Sequence, residues 1–394
     1  MDEMSGQQGA ITVIGAGAAG WGTIREFRKR DAVTEVTLIS LDDADFYSKP
    51  AISNALAQKR APADLVTTPG VDLAATLNVR LVARSRVTSI DTTGRSVQVQ
   101  THEAGVLTLP YSCLVLATGA QPTRVPVAGD EDQIVSVNNL DDYRRFHALL
   151  GSTAKRVLIL GAGLIGCEFA EDLLAAGHEV RIVDPARRPL ASILPEAASR
   201  LVQNALAQRG VRWDLGATLA KVEQKAGGAL CATLSTGEAH TADLVLSAVG
   251  LRADIALPQA AGIRCERGVL VDDHLRTSAP DVYALGDLAQ YGAAGNRTLP
   301  YVMPIMHAAR ALGATLAGES TAVTFPVMPV LIKTPSVPTV VVSPRPGSEG
   351  AWQSLGESSA SAWRFVDGAG KQRGFALLGE SVGRRMEMVK SMSP

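Results

Sequence analysis

The chain has 394 residues and a formal net charge of −1, with 46% hydrophobic and 20% charged residues. This length is enough for two or three domains with large cores, and the composition is that of an ordinary globular protein. Because the charge is nearly balanced and no apolar run reaches the roughly 18 residues of a membrane span, neither nucleic-acid binding nor a membrane span is indicated.

The first residues and the cysteines favour a cytoplasmic protein. Residues 1–9 are polar and lack the basic and apolar regions of a signal peptide, so we expect a loose tail. The cysteines form neither a C-x-x-C pair nor a metal-binding spacing: Cys113, Cys167, Cys231 and Cys265. We therefore expect buried thiols and no metal site.

The first strong motif is a glycine-rich turn between a strand and a helix. Residues 11–14 form an apolar strand, residues 15–20 read G-x-G-x-x-G, and a helix runs to about Arg30 before a second strand at 35–40. This unit is typical of a dinucleotide site, with the pyrophosphate at the helix N-terminus.

The end of that second strand departs from the usual pattern. Many dinucleotide sites carry an acid there for the adenosine ribose, but this chain has Ser40. Asp42, two residues later, is the candidate substitute. Ribose recognition in this unit is therefore less well defined by the sequence than in the second unit described below.

A loop at residues 47–53 combines aromatic, cationic and rigid side chains. Lys49, before Pro50, could stabilise the anionic form of a reduced, electron-accepting ring. The alternative is a solvated lysine beside a turn proline.

Residues 80–112 alternate in short runs, including 80–83 and 96–100, which favours a β-meander or hairpin. An apolar strand at 114–117 then ends in Thr118-Gly119. We expect this pair to place its backbone beside the first bound nucleotide.

The second glycine-rich turn is the most complete motif in the chain. Residues 157–160 form a strand and 161–166 the G-x-G-x-x-G turn; an amphipathic helix then leads to a strand at 179–184. The last residue of that strand, Asp184, is positioned to accept both hydroxyls of an adenosine ribose. The apolar face of the helix is expected to be Phe169, Ala170, Leu173 and Leu174.

The two units form a weak internal repeat. A linker helix at about 141–150 precedes the second unit, which closes with a strand at 244–249 and Gly250, much as the first closes at Thr118-Gly119. Two complete units argue against purely structural glycine loops and predict two dinucleotides bound at once.

Three features follow the repeat. Gly286-Asp287 ends a short strand, where a carboxylate could accept ribityl or ribose hydroxyls, although the dipeptide alone would favour a simple turn. A helix at about 301–318 carries His307, to which we assign no catalytic role because a packed histidine is commoner there. The last 70 residues are rich in proline and short strand-like runs, which favours a small α+β domain.

These motifs resemble the two-dinucleotide flavoprotein reductases with the glutathione-reductase-like fold. More narrowly, four short stretches resemble bacterial rubredoxin–NAD reductases, which supply electrons to rubredoxin for alkane hydroxylation: residues 47–53, 164–169, 301–304 and 333–335. The resemblance covers essentially the whole chain after the tail. It implies an α/β fold with two Rossmann-like domains and a small C-terminal α+β domain.

The resemblance also implies a division of the chain and of its sites. The FAD domain would be discontinuous (1–122 and 252–322), around an NAD domain (123–251), with a C-terminal domain at 323–394. Lys49, Glu168 and Lys333 are the implied catalytic residues: Lys49 and Lys333 near the flavin, and Glu168 in contact with the nicotinamide end or with a lysine near the flavin. The implied cofactor-binding residues are Gly15, Gly17, Ala18, Ala19, Gly20, Asp42, Lys49, Pro50, Thr118, Gly119, Gly161, Gly163, Leu164, Ile165, Gly166, Glu168, Asp184, Val249, Gly250, Gly286, Asp287 and Lys333.

The expected reaction is hydride transfer from NADH to FAD, followed by single-electron transfers to an external acceptor. Disulfide reductases of this fold need a cysteine pair after the first glycine turn, and this chain has none there. Rubredoxin is the expected acceptor. The alternatives are a ferredoxin reductase serving an oxygenase and, in another class, a flavin-containing redox sensor.

Three finer expectations concern the coenzyme, the acceptor and assembly. Asp184 should favour NADH by repelling a 2′-phosphate, although Arg187-Arg188 could attract one. An acidic acceptor could dock on a basic rim at Arg384, Arg385 and Lys390, unless these form only a solvated charge cluster. The C-terminal region lacks the His-x-x-x-x-Glu element of dimeric disulfide reductases, which favours a monomer.

Overall fold

The computed structural model describes residues 10–102, 105–356 and 361–392, so the expected tail at 1–9 lies outside the described residues. The chain divides into two compact units. Unit 1 comprises Met1–Ser48, Val66–Gln121 and Leu251–Pro326. Unit 2 comprises Lys49–Leu65, Pro122–Gly250 and Val327–Pro394.

Unit 1 is built on a five-stranded parallel sheet. Its strands, in spatial order, are Val282–Ala284, Cys113–Leu116, Ile11–Ile14, Val36–Ile39 and Arg80–Val82. The strand Ile11–Ile14, which enters the first glycine turn, is central and fully buried. Continuous apolar runs suit strands covered on both faces, which explains why these short segments form the core.

The other strands of unit 1 are short or antiparallel. A three-stranded antiparallel sheet consists of Arg86–Asp91, Ser96–Thr101 and Gly105–Pro110, which confirms the meander. The run at 80–83 was wrongly included in it, because Arg80–Val82 pairs in parallel with Val36–Ile39. The remaining strands are Phe46–Tyr47, Val66–Thr68, Ala120–Pro122, Leu251–Ala253, Val269–Val271 and Ala289–Tyr291.

The α-helices of unit 1 include the first glycine-turn helix, Ala18–Arg28, and the helix Val302–Leu316. Two shorter helices are Gly70–Thr76 and Ala256–Ala260. The first glycine-turn helix buries Trp21, whose indole nitrogen donates to the carbonyl of Ala44 at 2.9 Å.

Unit 2 repeats the parallel-sheet arrangement. Its strands, in spatial order, are Ile134–Ser136, Leu244–Ser247, Arg156–Leu160, Glu179–Asp184 and Arg212–Leu215. The strand entering the second glycine turn, Arg156–Leu160, is again central. Each glycine turn therefore opens at the carboxyl edge of its sheet, where ligands bind in open α/β sheets.

Within its described residues, unit 2 contains two further sheets and four α-helices. One sheet has strands Ala128–Gly129, Leu219–Gln224, Leu230–Leu234 and Ala239–Ala242. The other, antiparallel, has strands Val330–Ile332, Thr339–Val342, Gln372–Leu378, Ala362–Asp367 and Gly350–Ser354. The helices are Leu140–Leu150, the second glycine-turn helix Leu164–Ala175, Glu196–Arg209 and Arg385–Lys390.

The observed architecture confirms the predicted fold class, an α/β chain with two Rossmann-like sheets and a small C-terminal α+β region. The expectation of buried thiols is correct only for Cys167, which is fully buried; the other three cysteines are half-buried. None of the helices within 10–102, 105–356 and 361–392 has the length and apolar character that crossing a membrane requires.

Candidate functional site

The two glycine turns have nearly the same backbone geometry. Gly15 has a φ of +107° and Gly161 a φ of +103°, a region that side-chain-bearing residues rarely adopt. A Cβ atom would lie 2.3 Å from the carbonyl oxygen of Ala117 at Gly15, and 2.7 Å from that of Ala248 at Gly161. Both positions therefore require glycine.

The last glycine of each turn allows the helix to approach the strand. A Cβ on Gly20 would lie 1.9 Å from the carbonyl oxygen of Gly15, and a Cβ on Gly166 would lie 1.9 Å from that of Gly161. Real Cβ atoms do not approach a carbonyl so closely, so a side chain here would push the helix away.

The middle glycines face open space. At both Gly17 and Gly163, no atom of the described residues lies within 4 Å of a built Cβ. Each is the N-cap of its glycine-turn helix, and no described side chain caps that end. The free helix N–H groups and the space in front of them suit a pyrophosphate.

The carboxylate of Asp184 is held against the second glycine turn. Its Oδ2 accepts a hydrogen bond from the Ala162 amide at 2.6 Å, and its Oδ1 accepts one from the Ala186 amide at 2.7 Å. Carboxylate oxygens have further lone pairs, so Asp184 can still accept ribose hydroxyls. Arg188 donates to the carbonyl oxygens of Ala191 and Leu194, whereas Arg187 is exposed.

Ser40 and Asp42 act together at the corresponding strand end of unit 1. Ser40 is buried, and its hydroxyl donates to Oδ1 of Asp42 at 2.6 Å. The same oxygen accepts the Ala44 amide at 2.9 Å. In the sequence, Ser40 was noted only because it replaces the usual acid. In the structure, its hydroxyl orients the carboxylate of Asp42.

The Gly286-Asp287 turn is braced by a residue that the sequence analysis missed. Tyr291 is fully buried; its Oη accepts the Gly286 amide at 2.7 Å and donates to the Gly286 carbonyl at 3.2 Å. Gly286 has a φ of +79°, and a Cβ there would lie 2.9 Å from the Cβ of Ala19. The turn therefore lies directly against the start of the first glycine-turn helix.

The closing strands of the two units end in glycines of similar conformation. Gly119 has a φ of +73° and Gly250 a φ of +107°, and a Cβ on either would meet no described atom within 4 Å. Thr118 is half-buried and Val249 is 38% exposed. The backbone is thus open at both positions, as a nearby nucleotide would need.

Glu168 and Lys333 form a buried cluster with Ser53. Glu168 is 1% exposed; its Oε2 lies 2.5 Å from Lys333 Nζ and accepts the Ser53 hydroxyl at 2.6 Å. Its Oε1 accepts the Lys333 amide at 2.8 Å. Several charge-assisted donors compensate the burial of this carboxylate. The resemblance pointed to both charged residues, whereas the roles of the Ser53 hydroxyl and the Lys333 amide were missed.

Lys49 makes a contact with a different residue, Asn138. Its side chain is exposed, and its Nζ donates to Oδ1 of Asn138 at 2.7 Å. The carbonyl oxygen of Pro50 instead accepts from Lys333 Nζ at 2.6 Å. The structure thus brings together two of the three predicted catalytic residues, Glu168 and Lys333.

The second glycine-turn helix is less amphipathic than expected. Phe169, Ala170 and Leu173 are buried as predicted, and Leu174 is half-buried. In addition, three acids are buried on it: Glu168, Glu171 and Asp172. Burial of these carboxylates is compensated because they accept hydrogen bonds from neighbouring backbone.

Comparison with known proteins decides the family. Residues 9–313 match the family model described as pyridine nucleotide-disulphide oxidoreductase. The chain belongs to this family. Residues 322–392 match the model described as the rubredoxin binding C-terminal domain.

Curated relatives of this oxidoreductase cover nearly its whole length. The rubredoxin-NAD(+) reductase of Alcanivorax borkumensis is 42% identical over 97% of this chain and 98% of its own. The protein of the same name from Acinetobacter baylyi is 39% identical over 98% of both chains. A nitric oxide reductase FlRd-NAD(+) reductase from Aeromonas salmonicida is 36% identical, covering 97% of this chain and 96% of its own.

A solved structure supports the same fold for this oxidoreductase. The covalent putidaredoxin reductase–putidaredoxin complex matches with a TM-score of 0.86 at 22% identity, over 98% of this chain and 93% of the solved chain. The family assignment confirms the flavoprotein reductase class and the use of FAD and NAD(H). The roles of individual site residues stay predictions.

Proposed function

We propose that this chain takes hydride from NADH and passes electrons, one at a time, to rubredoxin. The observation that carries the proposal is the match of residues 322–392 to the rubredoxin binding domain, in a chain that also holds two complete dinucleotide turns. Bound FAD would supply the conversion between a two-electron donor and a one-electron acceptor. Use in alkane hydroxylation stays a prediction.

We assign FAD to unit 1. The N–H groups that follow Gly17 would bind its pyrophosphate, and Asp42, oriented by Ser40, would accept hydroxyls of its adenosine ribose. The turn at Asp287, braced by Tyr291, supplies the second carboxylate. The remaining predicted FAD ligands are Gly15, Ala18, Ala19, Gly20, Thr118, Gly119 and Gly286.

We assign NADH to the second glycine turn in unit 2. Asp184 would accept the ribose hydroxyls and would repel the 2′-phosphate of NADPH. Arg188 already donates to two carbonyl oxygens. These bonds leave its guanidinium fewer donors for a 2′-phosphate, which supports the preference for NADH. The remaining predicted ligands are Gly161, Gly163, Leu164, Ile165, Gly166, Val249 and Gly250.

We also propose a catalytic role for the Glu168–Lys333 pair. The ammonium of Lys333 is positioned by its ion pair with Glu168. Because the Lys333 side chain is 24% exposed, a ligand can still reach it. A cation held in this way can offset negative charge on a reduced cofactor ring. Lys49, on a separate contact to Asn138, remains a candidate for a similar role.

A cytoplasmic location fits this activity. NADH is the proposed electron donor, and the four cysteines are free thiols, as a reducing compartment maintains. We propose this location together with a monomeric state, which stays a prediction from the missing dimer element.

An anaerobic mixing experiment tests the proposed acceptor. The FAD-loaded protein is reduced with NADH and mixed with oxidised rubredoxin or with a two-iron ferredoxin, and the rates of acceptor reduction are compared. Faster reduction of rubredoxin is expected. Preferential reduction of ferredoxin would assign the chain to the oxygenase alternative, and a flavin that NADH cannot reduce would favour the redox-sensor alternative.

A further inference from the structure

Residues 49–65 belong to unit 2, although the chain immediately before and after them belongs to unit 1. We call residues 49–65 the inserted segment. It begins as a 3₁₀ helix, Lys49–Asn54, which carries Ser53 of the Glu168 cluster. A contact that fixes the inserted segment therefore also fixes Ser53, which donates a hydrogen bond to Glu168.

A second carboxylate on the glycine-turn helix holds this segment. Asp172 is 3% exposed; its Oδ1 accepts the Ala57 amide at 2.7 Å, and its Oδ2 accepts the Leu56 amide at 3.2 Å. Asp172 follows Glu168 by four residues, so both carboxylates project from the same side of the helix.

The chemistry of these contacts requires a carboxyl group, whose two oxygens can each accept a hydrogen bond in the ionised and in the protonated form. Leu56 and Ala57 lie in irregular backbone, and a buried N–H group without an acceptor costs free energy. Only an acid offers an accepting oxygen to each of two adjacent N–H groups. An isosteric amide would keep one acceptor and turn an NH₂ donor towards the other N–H.

We propose that Asp172 is a positioning residue: it fixes the inserted segment and thereby places Ser53 on Glu168 and Lys333. Lys333 Nζ also donates to the Ser53 hydroxyl at 2.7 Å and to the Pro50 carbonyl, so three of the contacts of this cluster depend on the placement of the segment. The reaction-related part of this inference rests on the proposed function.

Glu171 provides a matched control on the same helix. It is 4% exposed, and its Oε1 accepts the Ser336 amide at 2.7 Å. Within the described residues its Oε2 has no hydrogen-bond partner. Glu171→Gln therefore removes a buried carboxylate while keeping its one bond, whereas Asp172→Asn cannot keep both of its bonds.

The test measures hydrogen exchange and kinetics on the FAD-loaded full chain. In Asp172→Asn we expect amide exchange at Leu56 and Ala57 to become roughly 10- to 100-fold faster, since an unsatisfied buried N–H costs on that scale. Asp172→Glu, which keeps the charge but lengthens the side chain, should act in the same direction. Glu171→Gln should leave these amides within about threefold of the wild type.

The kinetic readout separates positioning from simple anchoring. In Asp172→Asn the limiting rate of flavin reduction should fall about tenfold while the Kd for NADH stays unchanged, because only the placement of Ser53 and Lys333 is disturbed.

Faster exchange with an unchanged limiting rate would overturn the positioning role. Unchanged exchange in both Asp172 variants, or an equal increase in Glu171→Gln, would overturn the anchoring itself. If wild-type flavin were not reduced by NADH, the proposed function would fail, and the exchange comparison would still decide the anchoring.

Discussion

The two glycine-turn helices follow turns of similar geometry, but they pack against different kinds of structure. Counting from the last glycine of each turn, Gly22 of the first helix corresponds to Glu168 of the second, and Glu26 corresponds to Asp172. A Cβ on Gly22 would lie 3.2 Å from the Cβ of Ala309, and a Cβ on Gly313 would lie 2.6 Å from that of Glu26. The first helix therefore packs closely on another helix.

The second helix contacts another helix through the rings of Phe169 and Phe146, but its buried acids face irregular backbone and make hydrogen bonds there. Its acids accept from the amides of Lys333, Ser336, Leu56 and Ala57. A regular helix satisfies its own N–H groups, but a loop needs acceptors from its neighbours. Small residues therefore serve the first interface and carboxylates the second, although the first glycines of the two turns have similar φ angles.

The largest expected effects test the similarity of the turns. Gly20→Ala and Gly166→Ala should each destabilise their own unit by about 3 kcal/mol or more, because the new Cβ would lie 1.9 Å from a carbonyl oxygen. Measured on the apoprotein, where cofactor loss does not contribute, Gly17→Ala and Gly163→Ala are the matched controls and should unfold at nearly the wild-type denaturant concentration. Equal destabilisation by all four would contradict the difference in Cβ environment between the last and the middle glycines.

Removing the cation that pairs with buried Glu168 should destabilise the protein more than removing the cation that pairs with Glu26 on the first helix. Lys333→Met should cost about 2 kcal/mol in chemical denaturation, below the range for fully buried pairs because Lys333 is partly exposed. Lys29→Met, which removes the exposed partner of Glu26, should cost less than about 0.5 kcal/mol. Adding Glu168→Gln to Lys333→Met should recover part of the loss; a purely additive double variant would show that the pair is not coupled.

The two ribose acids should affect different coenzymes. Asp184→Ala should weaken NADH binding about 10- to 100-fold and reduce discrimination against NADPH, while FAD content is retained. Asp42→Ala should lower FAD affinity and leave NADH binding to the FAD-loaded protein intact. Isothermal titration and flavin absorbance measure both quantities, and unaffected NADH binding in Asp184→Ala would make the ribose assignment wrong.

The pH dependence of the inserted segment follows from burial of Asp172. Burial, the largest influence, raises the pKa of Asp172 to about 6; the charge of Glu168 also raises it, whereas the Leu56 and Ala57 amides and Lys333 lower it. Because this pKa exceeds that of the unfolded chain, the contribution of Asp172 to stability is full below about pH 4 and is lost as the pH rises through about 6.

Hydrogen exchange checks this sign. After correction for the intrinsic pH dependence of exchange, protection of the segment should fall between pH 5 and 7 in the wild type and stay flat in Asp172→Asn. Protonated Asp172 and the amide introduced by Asp172→Asn are both neutral, but they accept hydrogen bonds differently. The protonated carboxyl still offers lone pairs on both oxygens, whereas the amide nitrogen offers none. A wild-type profile as flat as that of the variant would rule out titration of Asp172 in this range.

The smallest expected effect concerns docking of the acceptor. Arg384, Arg385 and Lys390 are exposed, and Arg384 Nη2 lies 3.0 Å from Glu387 Oε1, which offsets part of its charge. Replacing all three by glutamine should slow rubredoxin reduction a few-fold at low salt and flatten its salt dependence. Arg200→Gln, on an exposed helix pair, is the control; an unchanged salt dependence in the triple variant would exclude these residues from docking.

The fold was largely predictable because its signals are local. Strand, glycine turn, helix and strand lie within about thirty residues in each unit, and the limits of Glu179–Asp184 were predicted to the residue. The strand Arg80–Val82 was misplaced because its alternation resembles that of the meander that follows it, and its parallel partner lies some forty residues earlier.

The site was predictable only where a motif named the residue. Glu168 and Lys333 came from resemblance, but their meeting depends on a sequence separation of 165 residues. Ser53 and Asp172 act through hydrogen bonds to residues more than 100 positions away, which no local pattern encodes. The contacts of Ser40 and Tyr291 are local, but no motif singled these residues out. Asp172 in particular is buried, and its carboxylate accepts from amides more than 100 residues earlier in the chain.

The most direct test of the central claim, that each turn binds its own dinucleotide, uses the two variants that should fold normally. Gly163→Ala should be purified with its full complement of FAD but should bind NADH at least tenfold more weakly, since the methyl group occupies the space in front of the helix N-terminus. Gly17→Ala should show the reverse, with loss of FAD. If Gly163→Ala lost FAD while binding NADH normally, the assignment of the two turns would be contradicted.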